Sequence, residues 1–341
     1  MSRPPALYKF LATERSLLTE DSYPKDQRKD MMDAVDHGFL RAEPNMQELE
    51  LMMQWCTTTY RTLPVHSETK KTWQVVIPQT AMHHPSLMHG ILALSALHLA
   101  SNSKGTTKKR YLETAVSHQS RALTGLTKTG NKSNDSTSNV PLLSLSALMT
   151  IFSFGLPITV DSSNERSSLD EILRVFKSFK ASSSDTDTAT AQANDREMQA
   201  IIGSGNTPPQ MPDTHRLAIM SLSRLNARLA RQDPRHEKDV FDVVIENLGN
   251  SFNDLARGGE FLRSAFQWVV QMPPRFEKLL EERQKFALVI LAHFTVIIHY
   301  LRKYWWMSEW GSQLIHEISQ LLGPEWLPSI NWVIDSTSCY V

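Results

Sequence analysis

One stretch of this sequence, residues 84–100, limits the possible folds more than any other. As a helix it would be apolar around its whole circumference, broken only by His89, Ser95 and His98. Pro85 stands in the first turn, where proline is tolerated because its missing N–H would have no partner there. Such a helix rises roughly 25 Å, less than the roughly 30 Å hydrocarbon layer, and its polar residues are costly in lipid. The stretch therefore predicts a central buried helix rather than a membrane span.

Helical periodicity recurs along the rest of the chain, whereas strand-like alternation does not. We therefore predict an all-α fold, a single irregular multi-helix domain around the central helix at about 85–100. The short apolar run at Trp73–Ile77, followed by Pro78, is interpreted as an extended connection because no partner strand accompanies it. The other helices are predicted at about 45–60, 107–128, 141–154, 168 onward, 214–231, 235–248, 251–257, 275–282, 284–303 and 311–322.

Polar stretches divide the chain. Residues 1–44 are mixed and polar, and we predict a weakly ordered N-terminal extension before one domain at 45–335. The stretches 130–139 and 181–195 are predicted to be disordered loops, because they contain too few apolar side chains to offset the entropy of ordering.

Two sites along the chain have the residues that begin helices. Asn45 is a candidate N-cap, because its side-chain oxygen can accept a free backbone N–H of the first turn. Ser168 and Glu171 have the spacing of a capping box. Both sites precede apolar residues at helical spacing.

The charge balance argues against nucleic-acid binding by this chain. It has 36 Lys and Arg against 36 Asp and Glu, which leaves no basic surplus to neutralise phosphates. Its two cysteines, Cys56 and Cys339, are too few for a disulfide framework or a cysteine zinc site. No apolar secretory signal opens the sequence. We therefore expect an intracellular protein of the nucleus or cytoplasm, with no direct contact to nucleic acid.

A resemblance to a known family is carried by LELMMQWCTTTYRTL at 49–63, HPSLMHGILALSALHLA at 84–100 and FALVILAHFTVIIHYLRKYWWMSEWGSQLIHEISQLLGPEW at 286–326. These stretches resemble the C-terminal regulatory domain of fungal transcription factors with a binuclear zinc cluster, the group that includes sterol-uptake regulators. The resemblance covers roughly residues 45–332 and implies a role in transcription regulation. Such factors carry a six-cysteine cluster and a basic region upstream, whereas no cysteine precedes residue 49 here. We therefore expect a regulator without a DNA-binding module, or a gene model that lacks its first exon.

The resemblance to the sterol-sensing members also implies a ligand. We expect a small hydrophobic molecule, a sterol or terpenoid, together with a protein partner, no cofactor, and a possible place in a secondary-metabolite gene cluster. The pocket is expected between the two strongly apolar helices, 84–100 and 284–303, closed by tryptophans. The candidate ligand-binding residues are His89, Leu92, Ser95, Leu145, Met149, His293 and Trp306.

The histidines of the central helix have a simpler interpretation than metal binding. His89 and His98 are nine residues apart, so at 100° per residue they point to opposite sides of one helix and do not chelate one ion. We interpret both as core histidines held by hydrogen bonds.

An enzyme built on this helical scaffold is the alternative from a different functional class. An apolar cavity with carboxylates at its mouth suits a magnesium-dependent class I terpene (sesquiterpene) cyclase, because Mg²⁺ prefers oxygen ligands. Cations would hold the substrate diphosphate. The simpler interpretation of the same residues is a solvated helix face and a helix C-terminus complemented by positive charge. The metal candidates are Asp161, Glu165, Asn253 and Asp254, and the diphosphate candidates are Arg302 and Lys303.

Overall fold

The computed structural model of the protein describes residues 45–63, 69–129, 140–160, 167–190, 213–256 and 267–338. The chain forms two compact units, residues 1–49 and 50–341, and only residues 45–49 of the first unit are described. The predicted N-terminal extension at 1–44 and the predicted loop at 130–139 lie outside the described residues.

The fold is all-α, as predicted, and the described residues contain no strand. Two 3₁₀ turns, Thr59–Thr62 and Leu327–Ile330, and one π-helical turn, Thr72–Val76, accompany the α-helices. The α-helices are α1 Met46–Thr57, α2 Ile77–Ala81, α3 Pro85–Ser101, α4 Gly105–Thr129, α5 Val140–Thr159, α6 Ser168–Thr190, α7 Asp213–Gln232, α8 Lys238–Ala256, α9 Pro274–Glu281, α10 Lys285–Tyr300, α11 Trp310–Leu322 and α12 Asn331–Ser338.

The helix starts follow the polar caps read from the sequence, with one shift. Asn45 Oδ1 accepts the backbone N–H of Glu48 at 3.3 Å, which confirms the N-cap of α1. At α6 the cap is Ser167 rather than Ser168, because the Ser167 hydroxyl accepts the N–H of Asp170 at 3.0 Å. That hydroxyl in turn donates to a carboxylate of α11, a long-range contact that a local pattern does not show.

α3 occupies the centre of one part of the core, packed between α4 and α5. All but one of its side chains between Gly90 and Ala100 are buried. α3 and α5 run parallel, because Gly90 lies against Leu145 while Leu97 lies against Gly155 further along both helices. A Cβ at Gly90 would be only 2.6 Å from Leu145 Cδ1, so the absence of a side chain there permits the close approach.

α10 is a second centre of the core. Every residue from Phe286 to His299 is buried, and the helix packs against α8, α9, α11 and α12. Gln284 caps its start, with Oε1 accepting the N–H of Ala287 at 2.6 Å. The helix ends at Tyr300, shortly before the predicted end. The core is therefore built on two apolar helices rather than on α3 alone.

The run at Trp73–Ile77 is helical, so the prediction of an extended connection is wrong. Thr72–Val76 forms a π-helical turn that continues directly into α2. Pro78 lies in the first turn of α2, where it needs no N–H partner, and does not end a segment. The indole N–H of Trp55 in α1 donates to the Trp73 carbonyl at 2.9 Å and fixes the turn against α1.

Three further boundaries differ from the prediction. α6 continues to Thr190, well into the stretch 181–195 predicted to be disordered, because extending a helix that is already formed is much less costly than nucleating one. α8 is one helix where two were predicted, since Gly249 faces Ile219 of α7 instead of breaking the helix. α12 had no counterpart in the prediction.

Helix α5 is long and apolar enough to cross a membrane by length and composition, the one such helix among the described residues. Most of its apolar part is buried inside the fold, where it packs on α3 and α6. Its composition is therefore explained by its position in the core.

Candidate functional site

Two of the predicted ligand-binding residues, Leu145 and Met149, lie at the interface of α5 with α3. Leu92 and Ser95 are buried on α3, and Leu145 and Met149 are buried on α5. A Cβ at Gly90 would be within 4 Å of the side chains of both α5 residues, which shows how closely the two helices pack. The Ser95 hydroxyl has no hydrogen-bond partner among the described residues. Leu145 and Met149 thus belong to a packed helix interface, whereas Leu92 and Ser95 lie about 200° and about 140° around α3 from Gly90, away from the side that faces α5.

His89, the fifth residue of the predicted set on these helices, faces α4. Its Nδ1 atom lies 3.0 Å from Nδ1 of His118, and the ring centroids are 5.2 Å apart. One nitrogen must donate the shared proton and the other must accept it, so at least one ring of the pair is neutral. The pair joins α3 to α4 and supplies the hydrogen bond expected for His89, which is half-buried rather than fully in the core.

His98 lies on the other side of α3, as its spacing from His89 predicted. Its Nδ1 atom is 3.0 Å from Thr59 Oγ1, and its ring stacks on the indole of Trp305. That indole donates to Thr62 Oγ1 at 3.1 Å. Burial lowers the pKa of His98 from 6.5 to about 4, because the charged ring would lose its hydration. The neutral ring therefore links α3 to the 3₁₀ turn after α1.

His293 and Trp306, the remaining predicted residues, lie in other parts of the core. His293 is buried in α10, its Nδ1 atom 2.8 Å from the Val289 carbonyl, and it stacks on Trp332 of α12. Burial lowers its pKa to about 4. Trp306 is buried after α10 and packs on Phe154 of α5, and its indole N–H has no partner among the described residues.

The structure therefore does not bring the predicted set into one pocket. α3 makes its main contacts with α4 and α5, and α10 makes its main contacts with α11 and α12. The segment that connects α10 to α11 contains Trp306. A Cβ added at Gly155 of α5 would be 3.1 Å from the Cβ of Trp306. The described side chains along both apolar helices are closely packed against these neighbours.

A groove that was not predicted lies between α4 and α5. Its volume is about 480 Å³, and it opens to solvent. Apolar side chains from both helices form its walls, and one carboxylate and one hydroxyl stand among them. The sequence signal was Val116, an apolar residue four positions after Leu112 and therefore on the same side of α4. The lining residues are Leu112, Glu113, Val116, Ser117, Leu156 and Val160.

The metal candidates of the enzyme alternative are only partly described. Asn253 and Asp254 lie in the last turns of α8 and are half-buried, whereas Asp161 and Glu165 lie outside the described residues. Within the described part of the chain, no group of three or more His, Cys, Asp or Glu side chains is placed to hold a metal ion. The metal site stays a prediction.

The diphosphate candidates lie just after α10. Arg302 donates to the carbonyl of His299 at 3.1 Å, close to the end of the helix. Lys303 is exposed, and its ammonium group lies 5.1 Å from the ring centroid of Tyr304. The Arg302 contact agrees with the simpler interpretation, in which these cations complement the helix C-terminus.

Comparison with known proteins tests the resemblance to fungal transcription factors. Residues 50–199, which include α3, α4, α5 and the groove, match the family model of the fungal specific transcription factor domain. The resemblance to this family is confirmed. The match fits the C-terminal regulatory domain of fungal transcription factors, as the sequence indicated.

Two relatives agree with this result. Sterol uptake control protein 2 of Candida albicans is 36% identical over 76 residues, which cover 22% of this chain and 10% of that protein. A Zn(2)-C6 fungal-type transcription factor of Gibberella zeae is 23% identical over 319 residues, or 88% of this chain and 62% of that protein. The chain thus spans less than two thirds of the length of each of these relatives.

Proposed function

We propose that this chain is a regulatory domain of fungal transcription control that binds a small apolar molecule in the groove between α4 and α5. The observation that carries the proposal is the groove itself, which lies within the segment that matches the family model. Its volume of about 480 Å³ falls in the range of roughly 300–1,000 Å³ that is typical of ligand pockets.

The groove suits an apolar ligand with one hydroxyl group. Leu112 and Val116 on α4, Leu156 on α5 and Val160 just after α5 offer an apolar surface. Burial of such surface against a ligand is favourable by about 25 cal/mol per Å². The Glu113 carboxylate can accept a hydrogen bond from a ligand hydroxyl. A sterol or a terpenoid alcohol has this combination, and the name of the Candida albicans relative supports the sterol.

The buried set predicted from the sequence is the competing binding site. A ligand among Leu92, Ser95 and Met149 would have to open the core, because all three side chains are already buried. Binding there would therefore cost packing energy of the core, whereas the groove is already open. This difference favours the groove.

The proposed regulatory role also requires partners. The chain would act inside the cell, in the nucleus or cytoplasm, by changing its contacts with another protein when the ligand is bound. A gene cluster of secondary metabolism is one setting in which a terpenoid ligand would be available. The cyclase alternative has no support from the described residues, which bring no metal-binding group together.

The proposal is tested by binding of radiolabelled ergosterol and radiolabelled farnesol to the purified chain. We expect saturable binding of one of them, weakened about tenfold or more by Val116→Trp or Leu156→Trp, which fill the groove. Leu123→Trp is the matched control, because Leu123 lies on α4 outside the groove and is 40% exposed, close to the 42% of Val116. It should leave binding within about twofold.

The proposal would be contradicted if neither probe binds saturably, or if the groove variants bind as tightly as the wild type. It would also be contradicted if the control variant loses binding together with the groove variants. Incubation of the same protein with farnesyl diphosphate and Mg²⁺ is expected to release no cyclised hydrocarbon. A product that disappears with a chelator would instead establish the cyclase.

A further inference from the structure

The outer face of the α7–α8 helix pair has the features of an unpartnered contact surface. Leu217 and Met220 on α7 and Val243 on α8 are large apolar side chains that remain exposed, Leu217 by 59%. Among the described helices, α7 makes its main contact with α8. We propose that this face binds a second copy of the chain, in a symmetric dimer. The proposal does not depend on the ligand groove, which lies on α4 and α5.

The register of the two helices follows from their inner contacts. α7 and α8 are antiparallel, because Gly249 lies against Ile219 while Asn226 donates to Asp242 Oδ1 at 2.7 Å. In this register Glu246 is level with Leu222, one turn or less from Arg224. Asp239, by the same rule, is level with Leu229 and next to Arg228.

These four charged residues are exposed and have no ion-pair partner among the described residues. Arg224 and Arg228 lie on the outer side of α7, and Asp239 and Glu246 lie on the outer side of α8. By contrast, Arg275 is paired with Glu237, and Arg283 is paired with Asp170. The face therefore presents a basic row beside an acidic row, and the one charged neighbour that attracts a member of either row is Lys238, next to Asp239, among the described residues.

Such a face is complementary to itself. A two-fold axis that runs parallel to the helices, midway between them in the contact plane, places α7 of each copy over α8 of the other at unchanged height. Arg224 then faces Glu246 of the partner subunit, and Arg228 faces Asp239 of the partner subunit. Symmetry repeats both pairs, so the dimer contains four opposite-charge contacts.

The apolar residues and the size of the face fit the same arrangement. Val243 lies between the levels of the two charged pairs, so it would be covered by the partner's α7. Helices of 20 and 19 residues give a face about 30 Å long and about 20 Å wide. This is of the same order as the ~800 Å² that each partner buries in a standard interface.

The charges allow a test that separates this dimer from other assemblies. Wild-type protein, studied by light scattering and sedimentation over a micromolar concentration series, is expected to reach twice the 38.8 kDa mass of one chain. Arg224→Glu and Glu246→Arg are each expected to weaken self-association by about tenfold or more, because each reversal creates two like-charge contacts. Arg121→Glu, which reverses an exposed arginine of α4, is the matched control and should dimerise normally.

The decisive step is to mix the two reversed variants. In a mixed dimer, Glu at 224 faces Arg at 246 on one side and Arg224 faces Glu246 on the other, so association should return to the wild-type level. All variants are surface changes, and circular dichroism should show wild-type helicity. A wild type that stays monomeric, single variants that still dimerise, or a mixture of monomeric variants that does not associate would each overturn the proposal.

Discussion

The imidazole of His98 stacks on the indole of Trp305, with ring centroids 4.9 Å apart and planes inclined by only 8°. His98 is in α3 and Trp305 follows α10, so this pair connects the two apolar centres of the core. The buried imidazole of His98 must be neutral, because a charged ring would require hydration, and burial lowers its pKa to about 4. The link between the two centres therefore depends on pH.

The free energy of unfolding is predicted to fall on acidification. His98 and His293 have a folded-state pKa of about 4, whereas an unfolded histidine titrates near 6.5. Since the unfolded chain binds more protons, stability is full above pH 6.5 and is lost as the pH falls from 6.5 to 4. Each histidine contributes a loss on the order of 2 kcal/mol between pH 7 and pH 5. Urea unfolding at both pH values measures it.

The variant His98→Gln provides the control for this prediction. It should be less stable than the wild type at pH 7, yet its free energy of unfolding should depend less on pH, by about 2 kcal/mol over the same interval. An unchanged pH dependence would show that His98 is not buried in its neutral form.

Two glycines are predicted to respond oppositely to the same substitution. Gly249→Ala should stabilise by about 0.5–1 kcal/mol, because a Cβ there meets Ile219 at an ordinary 3.6 Å and alanine favours the helix. Gly311→Ala should destabilise by about 1–3 kcal/mol, because the Cβ would lie 3.1 Å from the Cα of His299, where α11 crosses α10. Denaturant unfolding measures both, and shifts of the same sign would refute the close approach of these helices.

Leucine truncation compares the two centres of the core. Leu94 in α3 and Leu291 in α10 are both fully buried, so Leu94→Ala and Leu291→Ala should each cost roughly 2–5 kcal/mol. Leu217→Ala on the exposed side of α7 should change stability by less than about 0.5 kcal/mol in the monomer. A mild effect of Leu291→Ala would mean that α10 is not a second centre.

The chain of 341 residues by itself is predicted to show no specific affinity for duplex DNA at physiological salt, since its basic and acidic residues are equal in number. Selection from random duplexes followed by gel shift measures this. A footprint or a nanomolar shift with this chain alone would contradict it.

The parts of the fold that depend on local pattern were predictable from the sequence. The apolar circumference of α3, the Asn45 cap and the periodicity of α4 each determine a helix by themselves, and all three are confirmed. The errors arise where a distant residue decides the conformation. The indole of Trp55 holds the π-helical turn at Trp73, and α11 supplies the carboxylate that fixes the Ser167 cap.

The site was less predictable than the fold for a related reason. An all-apolar helix indicates burial, but it does not distinguish a cavity wall from a packed core. The sequence therefore predicts a pocket at Leu92 and Met149, whereas the structure buries both in the core, Met149 where α5 contacts α3. The groove is formed by Val116 and Val160, which lie far apart in sequence, and only the packing of α4 beside α5 brings them together.

Photoaffinity labelling tests the central claim, ligand binding in the α4–α5 groove, most directly. A diazirine analogue of the probe that binds, irradiated with the purified chain and mapped by mass spectrometry, should label residues 112–117 of α4 and residues 156–160 at the end of α5. The labelling should disappear in Val116→Trp and persist in Leu123→Trp. Labels confined to α10 and Trp306, or to the buried residues of α3, would place the ligand in the core and contradict the account.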